Sequence, residues 1–213
     1  AGETEKATGA EQPAPAGEPG EADRLTSARA PQDKIGQGLG RMSRLVSQLL
    51  SLSRLDQGAA PAMRDIAWPR LVEGLFSDLL PLAQKAGVDM ECTWPPDDSP
   101  ALPLKGEGDL IAAMLRNLLD NAIRHSAPGQ TVTLRLLSDA IEVIDDGPGV
   151  DDEHLARLGD RFFRAPGQEA PGSGLGLSIV GRIAALHGLR VSWANRDGAP
   201  AAHRGFMVRL IRA

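Results

Sequence analysis

Apolar residues first recur at helical spacing in the stretch that begins at residue 35. They follow one another at steps of three, four and seven residues, while arginine and glutamine occupy other faces. This narrow stripe consists of Ile35, Met42, Leu45, Leu49 and Leu52. Such a stripe is typical of a helix in a coiled coil or a helical bundle. The pattern predicts one amphipathic helix over 35–56, which ends by Gly58 and Pro61.

The segment before this helix has a different composition. Residues 1–34 contain four prolines and many Gly, Ala and Glu residues, and Leu25 is their single large apolar residue. A segment of this kind cannot bury enough surface to offset its ordering entropy. We therefore expect three parts: a disordered or linker-like segment over 1–34, a helical segment over 35–62, and a globular domain over 63–213.

Strand and helix patterns alternate along the globular part. Pro69 opens a leucine-rich helical stretch, which Pro81 should kink or shorten. Further predicted elements are a strand over 88–94, a helix from Leu110 to Ser126 capped by Asp109, strands near 131–137 and 141–144, a helix over 175–187, and strands near 189–193 and 206–210. This interleaving predicts an α+β fold, in which one mixed sheet is covered on one face by helices.

Composition narrows the classes of function. The 213 residues are 42% apolar and carry a net charge of −5, which argues against a general nucleic-acid binder. No apolar run approaches the roughly 18 residues of a membrane span, so we expect no membrane contact. Cys92, the single cysteine, excludes an intrachain disulfide and a cysteine zinc cage. It alternates with Val88, Met90 and Trp94, which predicts that all four face the core. We expect a fragment of a longer protein from a reducing, cytoplasmic setting.

The first candidate motif lies on the helix from Leu110. Asn117, Asn121 and Arg124 are spaced by four and three residues, which places them together on one edge beside the apolar face. Amide oxygens suit a hard cation such as Mg²⁺, which keeps several waters and shares oxygens with phosphates. The edge could hold a hydrated metal and a phosphate chain, although by itself it also fits a solvated polar face.

Two glycine-containing turns provide the other candidates. Asp145-Asp146-Gly147-Pro148-Gly149 follows an apolar strand, and its carboxylate could accept from an exocyclic amine while the glycines approach a flat ring. Taken alone, it is also an ordinary turn. The second, over 172–176, precedes an apolar helix, whose first N–H groups could bind phosphate. It matches neither the dinucleotide fingerprint nor the phosphate loop of other nucleotide-binding proteins. The long stretch before it predicts a lid over 151–171.

The ordered combination of these motifs resembles the ATP-binding domain of bacterial sensor histidine kinases, in the family that includes gyrase, mismatch-repair and heat-shock chaperone ATPases. Residues 117–122 resemble the asparagine box, 145–149 the first glycine box, 160–164 the phenylalanine box and 172–176 the second glycine box. Residues 41–50 are similar to the second helix of the dimerisation and phosphotransfer domain. The resemblance implies a two-layer, Bergerat-type fold with a mostly antiparallel sheet, preceded by a dimerisation helix.

The resemblance also implies the site. Asn121 would be the Mg²⁺ ligand, supported by Asn117, and Asp145 would meet the adenine amino group of ATP. The implied catalytic residues are Asn117, Asn121 and Arg161. The implied nucleotide-binding residues are Asn117, Asn121, Arg124, His125, Asp145, Gly147, Gly149, Arg164, Gly172, Ser173, Gly174, Leu175 and Gly176. His125 stands where many relatives have a tyrosine.

The implied function is transfer of the ATP γ-phosphate to a histidine outside this chain, for relay to a response regulator receiver domain. The helix at 35–56 and the segment before it lack histidine, and we interpret His125, His154, His187 and His203 as structural. The implied assembly is a homodimer through 35–56, whose parent protein is anchored in the bacterial inner membrane.

Other functions of the same fold remain open. One alternative is a non-catalytic, dimeric nucleotide-binding regulator, that is, a pseudokinase. An ATPase is disfavoured because Asn117 stands where such relatives place a Glu as general base. A serine kinase that sequesters a sigma factor is disfavoured by the helix at 35–56.

Overall fold

The computed structural model describes residues 63–96, 99–160, 163, 174–196 and 205–213. Its strands are β1 (Arg64–Asp65), β2 (Asp89–Thr93), β3 (Lys105–Gly106), β4 (Thr131–Leu136), β5 (Ala140–Asp145), β6 (Leu189–Asn195) and β7 (Phe206–Arg212). Its helices are α1 (Trp68–Ala86), α2 (Gly108–His125), α3 (Asp152–Leu155) and α4 (Gly176–Leu186). The segments predicted at 1–34 and 35–56, together with Arg161, Arg164, Gly172, Ser173 and His203, lie outside the described residues.

Five strands form one mixed sheet in the order β2-β4-β5-β7-β6. β2 runs parallel to β4, and every other pair in this sheet is antiparallel. β1 and β3 form a separate antiparallel ribbon. The predicted mixed, mostly antiparallel sheet is therefore confirmed.

The helices cover one face of this sheet. Alternate residues of the central strands, such as Leu134, Val143 and Val208, lie in one buried core with the apolar side of α2. The opposite face carries a charged cluster across the same three strands. Glu142 is buried there between two arginines, and it accepts from Arg135 (3.1 Å) and Arg209 (2.9 Å). Because the main core cluster lies on the face that the helices cover, the two-layer α+β fold is confirmed.

Three local expectations need correction. α1 is not shortened at Pro81, because its buried stripe packs on the core on both sides of the proline, whose own position is exposed; a kink at Pro81 stays a prediction. The cap of α2 is Glu107 and not Asp109: its carboxylate accepts from the amide of Leu110 at 2.9 Å. Trp94 lies beyond the end of β2 and is 44% exposed.

Cys92 is half-buried against the core. Burial raises the pKa of its thiol above the usual range, since a thiolate would lose hydration there. The interpretation of Cys92 as a small apolar residue is therefore confirmed. Among the described residues, no helix has the length and apolar character needed to span a bilayer.

Candidate nucleotide-binding site

The amide edge of α2 faces the beginning of α4. Asn117 and Asn121 are half-buried on this edge, next to the buried leucines of the same helix. The Asn117 Nδ2 atom donates to the carbonyl of Ala113 at 2.8 Å, one turn earlier. A Cβ atom placed on Gly176 would lie 3.6 Å from Asn117 Oδ1. The fold thus brings the first and third motifs together, although they are about 55 residues apart along the chain.

Arg124 lies on the same edge, but its guanidinium is paired within the helix. Its Nε and Nη2 atoms donate to the two carboxylate oxygens of Asp120, at 2.8 and 3.0 Å. A two-point pair of this kind holds the guanidinium in a fixed orientation. The sequence pattern groups Arg124 with residues that could hold phosphate, but that prediction left out the pair with Asp120. The i,i+4 spacing of Asp120 and Arg124 is visible in the sequence.

Asp145 is the last residue of β5 and is 6% exposed. Its Oδ1 accepts from the amide of Gly147 at 2.9 Å. Burial raises the pKa of this carboxyl to about 6, and hydrogen bonds from the Gly147 and Phe206 amides oppose that rise. A buried carboxyl with so few protein donors is suited to accept from an amino group of a ligand.

The turn after Asp145 presses against the end of α2. A Cβ atom on Gly147 would lie 2.6 Å from the carbonyl oxygen of His125, so any side chain here would force the two segments apart. Gln130 joins the same segments: its Oε1 accepts from the amide of Ala127 at 2.6 Å, and its Nε2 donates to the carbonyl of Asp146 at 2.7 Å. Half-buried His125 therefore lies next to the first glycine turn. Sequence reasoning missed Gln130, which carries no local signal.

The second glycine motif is described from Gly174 onward. Gly174 has φ of +70°, a left-handed conformation that favours glycine, and Gly149 in the first motif has φ of +73°. Leu175 is buried, and its carbonyl accepts from the hydroxyl of Ser178 at 2.9 Å. The start of α4 is thereby fixed against the core, with its positive end next to the asparagine edge.

The beginning of the predicted lid is folded. The Arg157 guanidinium lies 4.3 Å from the ring centre of Phe163, and its Nε is 3.6 Å from Asp160 Oδ2. The His154 ring meets the same phenylalanine edge-on at 6.0 Å between ring centres. Arg157 thus has protein partners of its own, whereas the lid expected over 151–171 stays a prediction.

His187 is structural, as expected. Its Nδ1 donates to the carbonyl of Ile183 at 2.7 Å, and its Nε2 accepts from the amide of Glu107 at 3.1 Å. The ring is buried, and a Cβ atom on Gly106 would lie 2.7 Å from it. With both nitrogens engaged, His187 joins the end of α4 to the start of α2.

Comparison with known proteins assigns the family. A family model described as "Histidine kinase-, DNA gyrase B-, and HSP90-like ATPase" matches residues 106–211. The sensor protein QseC of Escherichia coli K12 is 43% identical over 167 residues, which cover 77% of this chain and 36% of that protein. The solved cytoplasmic segment of histidine kinase QseC is 31% identical, with a TM-score of 0.55, and the match covers 82% of this chain and 93% of that segment. This chain belongs to the sensor histidine kinase family.

The mycobacterial sensor histidine kinase MprB shares the fold, with a TM-score of 0.60 and 24% identity over 70% of this chain and 96% of that one. The chain spans little more than a third of the QseC length it matches, 36%. Its matched region is the ATP-binding domain of the family, as the three motifs predicted. The donor set also fits Mg²⁺, because amide oxygens on the α2 edge are hard ligands next to a helix N-terminus that favours phosphate.

Proposed function

We propose that this chain is the ATP-binding catalytic part of a sensor histidine kinase, comprising a nucleotide domain over 63–213, a partial dimerisation helix within 35–62 and a linker over 1–34. It transfers the γ-phosphate of ATP to a histidine outside the chain, for relay to a response regulator receiver domain. Dimers form through the helix at 35–56. The parent protein is anchored in the inner membrane and keeps this part in the cytoplasm.

One observation supports this proposal most strongly: Asn117 Oδ1 lies next to Gly176, where α4 begins. The Asn117 amide oxygen is thus close to the first residue of α4, whose opening N–H groups would bind phosphate. Asp145 lies at the end of β5, and Gly147 holds its turn against α2. A nucleotide lying across these features would have its adenine at Asp145 and its phosphates at α4.

In this arrangement each residue has a distinct role. The Asp145 carboxylate accepts from the adenine amino group, and Gly147 and Gly149 let the backbone approach the ring. Asn121, supported by Asn117, would hold Mg²⁺, which when bound offsets charge on the phosphate oxygens. The amides of residues 172–176 bind phosphate, and Arg161 and Arg164 contact the γ-phosphate.

Transfer is favoured over hydrolysis by the chemistry of Asn117. Its amide cannot take a proton from an attacking water, and its Nδ2 atom is used in a bond to Ala113. A general base contributes about 10²–10⁴-fold to a rate, so an ATPase without one would be slow. A histidine acceptor needs no such base, because its neutral imidazole is already a nucleophile.

The proposal is tested by phosphate transfer between separate chains. The chain is mixed with γ-labelled ATP, Mg²⁺ and a separately expressed acceptor-helix domain of its parent. We expect an acid-labile label on that domain, because phosphohistidine is lost in acid. Asn121→Ala should abolish labelling, since it removes the proposed metal ligand, while Ser192→Ala on the exposed side of β6 should label like the wild type.

Strong acid-labile labelling of this chain alone would contradict the proposed acceptor if it were lost in His125→Gln, His154→Gln or His203→Gln. ATP binding without transfer to any acceptor domain would instead indicate the pseudokinase alternative.

A further inference from the structure

The carboxyl-terminal end of β6 contacts the segment that follows the first glycine turn. Asn195 Oδ1 accepts from the amide of Val150 at 2.8 Å, and its Nδ2 donates to the carbonyl of Val150 at 2.7 Å. Nδ2 also lies 3.3 Å from Asp152 Oδ1. One side-chain amide therefore pairs with both backbone groups of Val150, as a neighbouring strand would.

Trp193, two residues earlier on the same face of β6, contacts the segment farther along. Its Nε1 donates to the carbonyl of Leu155 at 2.9 Å, at the end of α3. A Cβ atom on Gly159 would lie 2.9 Å from the indole ring, so the backbone of that turn packs directly on it. Trp193 and Asn195 thus hold two separate points of the segment over 150–159.

The next residue, Arg196, completes a connection to the glycine turn itself. Its guanidinium pairs with the carboxylate of Asp146, and its amide donates to the carbonyl of Gly205 at 3.2 Å. Gly205 in turn donates to the carbonyl of Gly147 at 2.8 Å. The end of β6 is therefore bonded to the chain on both sides of Gly149: to Asp146 before it and to Val150 after it.

We propose that Asn195 and Trp193 are positioning residues of the nucleotide pocket. They hold Val150 and the α3 segment so that the turn over 145–149 keeps the geometry that receives adenine. β5 ends at Asp145, and after it the turn is held by single hydrogen bonds, such as those to the carbonyls of Asp146 and Gly147. A turn that was not held on the side of Val150 would lose more conformational entropy when a ligand binds. This inference rests on the proposed function, because it assumes that adenine lies at Asp145.

The inference predicts a loss of affinity that is the same for ADP and for ATP, because the adenine end is common to both. Calorimetric titration with Mg²⁺ would compare the wild type with Asn195→Ala, which removes both bonds to Val150. We expect about a fivefold to tenfold weaker Kd for both nucleotides, the lower end of the range for two lost hydrogen bonds. Hydrogen exchange at the Val150 amide should become faster in the same variant.

Two further variants separate positioning from stability. Trp193→Phe keeps an aromatic ring on β6 but removes the bond to Leu155 and the Cη2 and Cζ2 atoms that lie nearest Gly159. Its affinity loss should still be smaller than that of Asn195→Ala, about twofold to threefold. Asn195→Asp keeps an oxygen for the Val150 amide but puts a second carboxylate oxygen against the Val150 carbonyl and Asp152, so its loss should equal or exceed that of Asn195→Ala. Ser192→Ala, on the same strand and exposed, should match the wild type and controls for β6.

Unchanged Kd values in Asn195→Ala would contradict the positioning role. A loss of affinity for ATP but not for ADP would also contradict it, because the effect would then lie at the γ-phosphate. A wild-type chain that binds neither nucleotide would contradict the proposed function instead. If Asn195→Ala does not fold, the same comparison of ADP with ATP is made with Trp193→Phe.

Discussion

The two glycine turns of the site are glycine-rich for different reasons. In the first, Gly147 has no room for a side chain, since a Cβ atom would lie 2.6 Å from the His125 carbonyl and 2.9 Å from Asp145 Oδ1. In the second, a Cβ atom on Gly176 would meet Asn117 Oδ1 at 3.6 Å, an ordinary contact. At Gly147 the protein's own packing requires glycine, whereas Gly176 leaves space that a ligand can use.

This difference teaches which part of the pocket is preformed. The adenine end is bonded to the segment that follows α2 through Gln130, and to β6 through Asn195. The described part of the phosphate end is instead the half-buried edge of one helix and the start of another. We therefore expect stability and nucleotide affinity to respond differently to substitutions at the two ends.

The largest expected effect is that of Gly147→Ala. Its methyl group would overlap the His125 carbonyl, which belongs to the backbone and cannot turn away. Overpacking of this kind costs about 2–3 kcal/mol of unfolding free energy. Chemical denaturation would measure it, with Gly74→Ala as control, because that glycine lies within α1 with open space around it. A Gly147→Ala chain as stable as the wild type would contradict the close approach.

A smaller effect is expected at Asp145, where the pKa near 6 links affinity to pH. The carboxylate that accepts from adenine forms only as the pH rises through about 6, so ATP affinity should rise over that range. At pH 7.5 we expect Asp145→Asn to bind about tenfold more weakly, the value of one charge-assisted hydrogen bond. Below pH 5 the two chains should converge. Calorimetry at both pH values, with GTP as the comparison nucleotide, would measure this.

The same pKa sets the sign of a stability effect. Because the folded value lies above the ordinary 3.8, Asp145 favours the folded chain most below pH 4, and this contribution is lost as the pH rises through about 6. Asp145→Asn should lack that step. Parallel denaturation curves for both chains at every pH would contradict the raised pKa.

The smallest expected effect on folding is that of Gly176→Ala. Alanine favours a helix, so the unfolding free energy should stay equal or rise by less than about 1 kcal/mol. The added methyl would occupy space beside Asn117 Oδ1, so the affinity for Mg²⁺–ATP should fall, by up to about fivefold. Gly181→Ala in the same helix has open space and should leave affinity unchanged. Equal affinities for all three chains would contradict a phosphate site at this point.

Several elements followed directly from local pattern. The apolar side of α2 and the alternation in β4 and β7 are set by residues three, four or two positions apart, so they were predicted correctly. The boundaries of the elements were predicted less well. Glu107 follows β3 directly and caps α2 in place of Asp109. Pro81 was misjudged because helix propensity does not include the packing of α1 on the core.

By itself, the sequence determined the strand and helix types, the candidate asparagine edge and the two glycine turns, because these depend on neighbours along the chain. Only the tertiary structure decided that Asn117 meets Gly176, that Asp120 engages Arg124, and that Asn195 holds Val150. Contacts between residues as far apart as Val150 and Asn195 depend on how strands are ordered in the sheet. A local sequence pattern does not determine the order of strands in a sheet. The burial that raises the pKa of Asp145 also comes from this tertiary packing.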